Sequence, residues 1–440
     1  MNSISHSIAV RIRWRIFSML FGFAFLAYLQ QKSITVAADR MMPALHLSQV
    51  QIGWIMEAFV VGYALFQLPG GIFGQRVGAR RAFTITGLAA VFATLCTPLA
   101  PVWFKGVGLF VVLLSLQALL GASQAAVFPV SAGVFEAWFP QRRWAFVQGL
   151  QTMGISFGAA LTPPLIVALM SLLGWQQALL WTGVPSLVLI LVWAWYARNS
   201  PREHKAVSAE ELATIGIAET PPVDSTIGFK QLLSILRNRS VLMLAFSYLC
   251  FNYCFYLLSN WVFLYLVQER HFSVLESGWL ASTPPLASAV GAGVGGVITS
   301  SLCIKFGNRW GYRLLPMIAM PTVAALLMFS VSAANPYWAV AGLATCFAAV
   351  ELNEGAYWGG AMMVGGGDTM AVSGVMNTGG NLGGIIGIPI IAYLSGQHLW
   401  RLAFIIGAGF SLVSAIAWLG VELGKNPGTV GEHAPVKLTA

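Results

Sequence analysis

The sequence predicts an all-α polytopic membrane protein with twelve transmembrane helices, arranged as two six-helix halves. Three observations lead to this prediction: scarce charge, regularly spaced apolar runs and an internal repeat. Of the 440 residues, 57% are hydrophobic and 9% are charged, whereas soluble domains carry about 25% charged residues. So few charges cannot cover the surface of a soluble enzyme of this size, and an aromatic content of 12% excludes a disordered chain.

Apolar runs that approach the ~20 residues needed to cross a bilayer as a helix occur along the whole chain. The predicted spans are residues 16–38, 52–73, 82–102, 107–138, 145–173, 175–197, 241–267, 277–303, 315–334, 337–365, 370–396 and 400–422. These spans define an N-terminal six-helix bundle at 1–198, a cytoplasmic linker at 199–240, a C-terminal bundle at 241–424 and a cytoplasmic tail at 425–440.

The basic residues predict the orientation of the chain in the membrane. Most of the 24 Lys and Arg residues fall in the N-terminal tail, the linker and the loops that follow even-numbered spans. Positively charged loops stay on the cytoplasmic side, so both termini are expected there, in the cytoplasmic (inner) membrane of a bacterium. The net charge of +9 therefore reflects topology and not a nucleic-acid interface.

The polar linker contains two short helical patterns. Ser208 and Glu211 have the spacing of a capping box at the start of a surface helix. A second stretch carries an apolar stripe that suits a helix lying on the membrane surface. Its members are Phe229, Leu232, Leu233 and Leu236.

An internal repeat relates the two halves. Shifting the sequence by 225 residues aligns them without gaps. The matched pairs include Ser48 with Ser273, Gly70 with Gly295, Gly71 with Gly296, Pro164 with Pro389 and Trp175 with Trp400. Two repeated halves of this kind place a substrate site between them, near the middle of the bilayer.

No catalytic, metal or cofactor site is predicted. The five cysteines lie in apolar runs without a Cys-x-x-Cys pair, and the chain has no Walker loop and no Gly-x-Ser-x-Gly. The glycine-rich stretch 365–368 lies in a short loop between spans, where we expect a turn near a gate. Enzymatic activity is therefore not expected.

The stretch from Gly70 to Arg81 resembles the loop motif between spans two and three of the major facilitator superfamily. Its gating positions are Gly71, Gln75, Arg76, Gly78, Arg80 and Arg81. Further stretches resemble the anion:cation symporter family, which includes galactonate, glucarate, hexuronate and sialic-acid-type carriers. They are residues 63–71, Phe128-Pro129, 138–140 and 376–384. The resemblance implies a secondary transporter working by alternating access.

The chain departs from that family at its intramembrane charges. Members typically carry an Asp-Arg pair in span one and an Arg and a Glu in span four, together with an Asp in the loop motif. The corresponding residues here are Gln30, Gln31, Gln117, Gln124 and Gln75. A glutamine neither takes nor releases a proton near neutral pH, so coupling through the family's residues is in doubt.

Few intramembrane charges remain, and such charges are costly and commonly functional. Lys32 could receive an anion, or it could snorkel outward or pair with Glu57. Glu351 and Glu354 share one helix face with Trp358 in span ten, because the three are spaced three and then four residues apart. We expect Glu354, Glu351 and Glu57 to be the candidates for coupling, with Glu354 ahead; hydrogen bonding to a neighbouring helix is the alternative.

A layer of polar side chains completes the predicted substrate site. Amides and phenols suit hydroxyl-rich or amide-bearing solutes, because each can donate and accept hydrogen bonds. The predicted substrate-binding residues are Tyr28, Gln31, Lys32, Tyr63, Gln124, Asn252, Tyr256, Trp358, Asn377 and Asn381. Of these, Tyr28, Tyr63, Trp358 and Asn381 match substrate-contacting positions of the family.

Three functions remain open at this stage. The first is transport of a small organic anion such as a sugar acid, coupled to protons, by a monomer in the bilayer. The second is transport or export of neutral or zwitterionic solutes, including siderophore-like or drug-like molecules, which the lost charges favour. The third is a transport-dead relative that acts as a sensor or an assembly subunit.

Overall fold

The structure is a computed structural model that describes residues 11–215, 227–273, 276–277 and 280–423. This part of the chain is helical and contains no strand. The helices are α1 (Ile12–Leu45), α2 (Gln49–Val77), α3 (Ala79–Trp103), α4 (Gly106–Gln124), α5 (Val127–Trp138), α6 (Trp144–Tyr196), α7 (Ala209–Ile215), α8 (Phe229–Arg237), α9 (Arg239–Gln268), α10 (Thr283–Ser332), α11 (Pro336–Glu351), α12 (Glu354–Gly365), α13 (Thr369–Gly396) and α14 (Trp400–Ala417).

Nine helical stretches of the described chain are long and apolar enough to cross a membrane. The predicted spans fall within them to within a few residues, apart from the start of the eighth. That span was expected from residue 277, whereas α10 begins at Thr283. Pro284 and Pro285 stand in the first turn of α10, where a proline is tolerated because the amide hydrogen it lacks would have no partner within the helix.

Two predicted spans are interrupted, which corrects the expectation of continuous helices. In predicted span four, α4 ends at Gln124 and α5 begins at Val127. Pro129 cannot donate the hydrogen bond that would join the two segments. In predicted span ten, α11 ends at Glu351 and α12 begins at Glu354.

Asn353 explains the interruption between α11 and α12. Its side-chain Nδ2 donates to the carbonyl oxygens of Ala349 at 2.9 Å and Val350 at 3.0 Å. An asparagine that bonds to the preceding turn competes with the backbone amides that would continue the helix. The break is therefore encoded locally.

Local features recur at the 225-residue separation of the sequence repeat. His46 and His271 both adopt left-handed backbone conformations, with φ of 54° and 57°. Two residues later, the hydroxyls of Ser48 and Ser273 each accept a hydrogen bond from a backbone amide three residues on, both at 3.2 Å. The two segments thus use the same turn to enter a helix.

We call the described residues before the linker the N-terminal half and those after it the C-terminal half. They meet through α2, α5 and α6 on one side and α10, α12 and α13 on the other. The contact is close because glycines, which have no side chain, stand at it. A Cβ on Gly71 would collide with the Met370 carbonyl oxygen, and one on Gly133 with the Met370 side chain. Met370 thus occupies a recess that only glycines leave open, and we call this contact the Met370 recess.

The linker helix α7 is fastened to the beginning of α1. The Ser208 hydroxyl accepts from the Glu211 amide at 3.1 Å, as the capping pattern predicted. The Glu211 carboxylate does not complete the box. It accepts from the backbone amides of Ile12 and Arg13, both at 3.1 Å, because these amides at the start of α1 have no intrahelical partner.

Replacing Glu211 with Gln should weaken this attachment. The side chain is 6% exposed, and loss of a charged cap costs about 1–2 kcal/mol in the free energy of unfolding. The matched control is Glu210→Gln, because Glu210 is an exposed neighbour whose side chain does not bond to the amides of α1. Thermal unfolding in detergent checks this: equal midpoints for the two variants would contradict the proposed attachment.

Candidate functional site

Polar side chains from both halves collect at the level of the two helix interruptions. Tyr28 of α1 interacts electrostatically with Tyr63 of α2, with Tyr256 of α9 and with the two carboxylates beside the second interruption. We call this group the central polar cluster. Its members are Tyr28, Tyr63, Tyr248, Tyr256, Glu351, Glu354 and Asn377. The three phenols of Tyr28, Tyr63 and Tyr256 are partly exposed.

Glu354 is buried and held by two hydrogen-bond donors. Its carboxylate accepts from the Tyr248 hydroxyl at 2.9 Å and from the Trp358 indole Nε1 at 2.7 Å. Trp358 also packs on Phe128 of the other half, with ring centroids 5.4 Å apart. Glu354 therefore orders an aromatic contact that joins the halves.

Glu351 has different surroundings. It is 2% exposed and closes α11. Its recorded interactions are electrostatic, with Glu354, Tyr28 and Tyr248, and no described residue donates a hydrogen bond to it. Leu352 and Asn353, between the two carboxylates, keep right-handed helical backbone angles. Glu351 and Glu354 both interact electrostatically with Tyr28 and Tyr248, so the common face of Glu351, Glu354 and Trp358 stays a prediction.

The predicted asparagines lie in buried hydrogen bonds. Asn377 Nδ2 donates to Gln67 Oε1 at 2.7 Å, across the two halves. Asn381 and Asn252 donate to backbone carbonyls one turn earlier in their own helices, both at 2.8 Å. Sequence analysis missed Gln67, although it lies four residues after Tyr63 and shares its helix face.

Gln124 faces the interior of the N-terminal half. Its Nε2 donates to Gln30 Oε1 at 3.0 Å, and Gln30 Nε2 donates to the Ser186 hydroxyl at 2.9 Å. These residues line a cavity of about 30 Å³, enough for a water molecule. Gln31, one position further along α1, is only partly buried and lies outside this chain of amides.

Lys32 and Glu57 do not form the ion pair considered from the sequence. The described residues contain two ion pairs, Arg13–Glu211 and Arg40–Asp39. Lys32 is partly exposed, and Glu57 is exposed and interacts electrostatically with Tyr256. The nitrogen of Lys32 and the carboxylate of Glu57 are therefore not within ion-pair distance of each other.

The residues of the loop motif surround a contact between the halves. Gln75 Nε2 donates to the Gly367 carbonyl, which belongs to the glycine-rich turn before α13. Arg76 donates to the Ile227 carbonyl at 3.0 Å, and Arg80 Nε donates to the Ala194 carbonyl at 2.9 Å. Gly78, with φ of 82°, makes the turn between α2 and α3, and Arg81 is exposed.

One acidic residue at this contact was missed. Glu136 of α5 lies beside the Thr369 side chain and interacts electrostatically with Asp368, at the start of α13. Asp368 in turn accepts from Gln231 Nε2 of α8, at 2.7 and 2.8 Å. The rule that intramembrane acids are costly applies to Glu136 as well, and it would have identified the residue.

Related proteins match nearly the whole chain. The probable sulfoacetate transporter of Cupriavidus necator is 26% identical over 94% of this chain and 94% of its own length. The probable galactarate/D-glucarate transporter of Escherichia coli K12 is 25% identical over 93% and 90%. The hexuronate transporter of Bacillus subtilis is 25% identical over 93% and 96%.

Solved structures share the fold at lower identity. The Escherichia coli fucose:proton symporter superposes with a TM-score of 0.70 and 16% identity, over 94% of this chain and 100% of its own. A proton:xylose symporter gives 0.73 and 12%, over 93% and 96%. The family profile of the Major Facilitator Superfamily matches residues 20–364. The chain therefore belongs to the Major Facilitator Superfamily, as a membrane transporter and not an enzyme, and its relatives are of the anion:cation symporter type that the sequence motifs indicated.

Proposed function

We propose that the protein transports a small organic anion, such as a sugar acid, across the cytoplasmic membrane by alternating access and together with protons. The observation that carries this proposal is the set of full-length relatives, whose names specify sulfoacetate, galactarate or D-glucarate, and hexuronate. Each is an organic anion with one or two acidic groups. The chain covers nine-tenths or more of each of these relatives.

Twelve spans in two halves form part of the proposal. Three of the nine membrane-spanning stretches contain a glycine with positive φ in their interior: Gly174 at 80°, Gly307 at 74° and Gly366 at 49°. Dividing each stretch at its glycine gives twelve spans, with both termini cytoplasmic as the basic loops predict. The recurring turns at His46 and His271 support a repeated half.

Alternating access is supported by a difference between the two ends of the contact between the halves: one end is closed, and side chains near the other are exposed. The end that carries the loop motif is closed by the Met370 recess and by the Gln75–Gly367 hydrogen bond. Toward the other end, Tyr28, Tyr63 and Tyr256 are partly exposed and Glu57 is exposed. We infer a state that is closed toward the cytoplasm.

The polar layer offers suitable chemistry for a hydroxylated anion. The tyrosine hydroxyls and the asparagine amides bind hydroxyl groups, and Lys32 supplies the positive charge for a carboxylate or sulfonate. The buried carboxylates at the α11–α12 interruption are the proposed proton carriers. The neutral chain of Gln30, Gln124 and Ser186 favours the second candidate, a carrier of neutral or zwitterionic solutes.

Uptake by proteoliposomes distinguishes the two candidates. We expect saturable uptake of labelled D-glucarate or sulfoacetate, and Lys32→Gln should raise KM about tenfold, which corresponds to about 1.4 kcal/mol of lost binding. Lys105→Gln is the control, because Lys105 lies exposed before α4. Equal competition by neutral polyols, or no effect of Lys32→Gln, would instead favour the neutral-solute carrier.

Covalent closure of the loop-motif end tests alternating access. Gln75→Cys combined with Gly367→Cys places two thiols where a side chain now reaches a carbonyl. A short thiol crosslinker should abolish uptake by the double variant, and a reducible crosslinker should restore it on reduction. Each single variant is the control. Full uptake by the crosslinked protein would mean that this contact never opens during transport.

A further inference from the structure

In each of the two interrupted helix pairs, the first helix ends at a residue with a polar side chain. Gln124 is the last residue of α4, and Glu351 is the last residue of α11. In each pair, two residues separate the segments. The separation of the two interruptions lies within two residues of the 225-residue repeat. The interruptions therefore lie close to equivalent places in the two halves, although the 225-residue shift aligns Gln124 with Ala349 and not with Glu351. One interruption carries an amide and the other a carboxylate.

The interruption in the N-terminal half has no group that can titrate. The Gln124 amide is fixed by its hydrogen bond to Gln30, which in turn bonds Ser186. An amide neither gains nor loses a proton near neutral pH. This interruption stays neutral throughout any transport cycle, so a proton has to be carried elsewhere.

The two carboxylates of the other interruption lie at opposite helix ends. Glu354 is in the first turn of α12, and two donors hold its carboxylate. Glu351 is at the end of α11, and no described residue donates a hydrogen bond to its carboxylate. The local structure thus stabilises charge on Glu354 and leaves charge on Glu351 without support.

The remaining neighbours strengthen this difference. The titratable groups that interact with Glu351 are Tyr28 from α1, Tyr248 from α9 and Glu354 from α12. In the described part of the chain no cation is recorded beside it. Two buried carboxylates that interact this closely do not both remain ionised at low cost.

We propose that Glu351 carries the coupled proton, while Glu354 remains ionised as a fixed acceptor for Tyr248 and Trp358. This inference rests on the proposed function, and it favours Glu351 over the Glu354 that the sequence put first. The proton enters the Glu351 carboxylate from the open side and leaves it toward the cytoplasm after the halves move. On entry, an O–H bond of a hydronium ion breaks as the O–H bond of the carboxyl group forms; on release, the carboxyl O–H bond breaks and the proton returns to water.

Infrared difference spectra of the full-length protein, recorded between acidic and alkaline pH, test directly which carboxylate takes up the proton. A protonated-carboxyl C=O band should be present in the wild type and in Glu354→Gln, and it should be lost in Glu351→Gln. A band that disappears in Glu354→Gln and persists in Glu351→Gln would overturn the assignment. This readout needs no substrate, so it decides the inference even if the proposed function fails.

Transport by proteoliposomes provides the second readout, with D-glucarate and sulfoacetate as probes. At zero membrane potential, a gradient of one pH unit should give the wild type about tenfold accumulation at one proton per substrate. Glu351→Gln should abolish this accumulation while counterflow remains measurable, whereas Glu269→Gln, an exposed control beyond α9, should keep both at the wild-type level. Gradient-driven accumulation by Glu351→Gln would overturn the proposal; absence of any wild-type counterflow would contradict the proposed function instead.

Discussion

The bilayer requires every backbone amide and carbonyl to find its partner within the protein, and this requirement governs the structure. A spanning helix satisfies the condition without help, so an interrupted helix has to be enclosed by its neighbours. Both interruptions lie where the halves pack together, and Asn353 satisfies two of the carbonyls that the second one frees. The polar centre of the protein follows from this constraint, because the polar side chains lie next to the backbone groups that the interruptions expose.

Charge within that centre is distributed unequally. The N-terminal half presents amides and hydroxyls that satisfy one another, whereas the C-terminal half retains Glu351 and Glu354 in buried positions. Ionisable groups in the membrane are tolerated where they face a bundle interior and serve a function. A transporter with this asymmetry can place its proton chemistry in one half and leave the other as a neutral support that moves against it.

Sequence reasoning predicted the helical fold and several members of the central polar cluster, because apolar length and polar residues in apolar surroundings are local signals. Tyr28, Tyr63 and Asn377, which were among the predicted substrate-binding residues, all belong to this cluster. The interruption before Glu354 was not predicted, since a single asparagine in an apolar run resembles many that leave a helix intact. The attachment of Glu211 to α1 joins residues about 200 positions apart, so no local pattern indicates it.

The Met370 recess has a consequence for how the closed state responds to its surroundings. Its contact consists of a methionine side chain against glycines, and its nearby hydrogen bond joins an amide to a carbonyl. The described residues contain no ion pair between the halves. Dispersion and neutral hydrogen bonds are barely affected by dissolved salt. In the proposed closed state these two contacts would therefore keep their strength when an osmotic shock concentrates the cytoplasm, whereas dissolved salt would screen the interaction between Glu136 and Asp368 beside them.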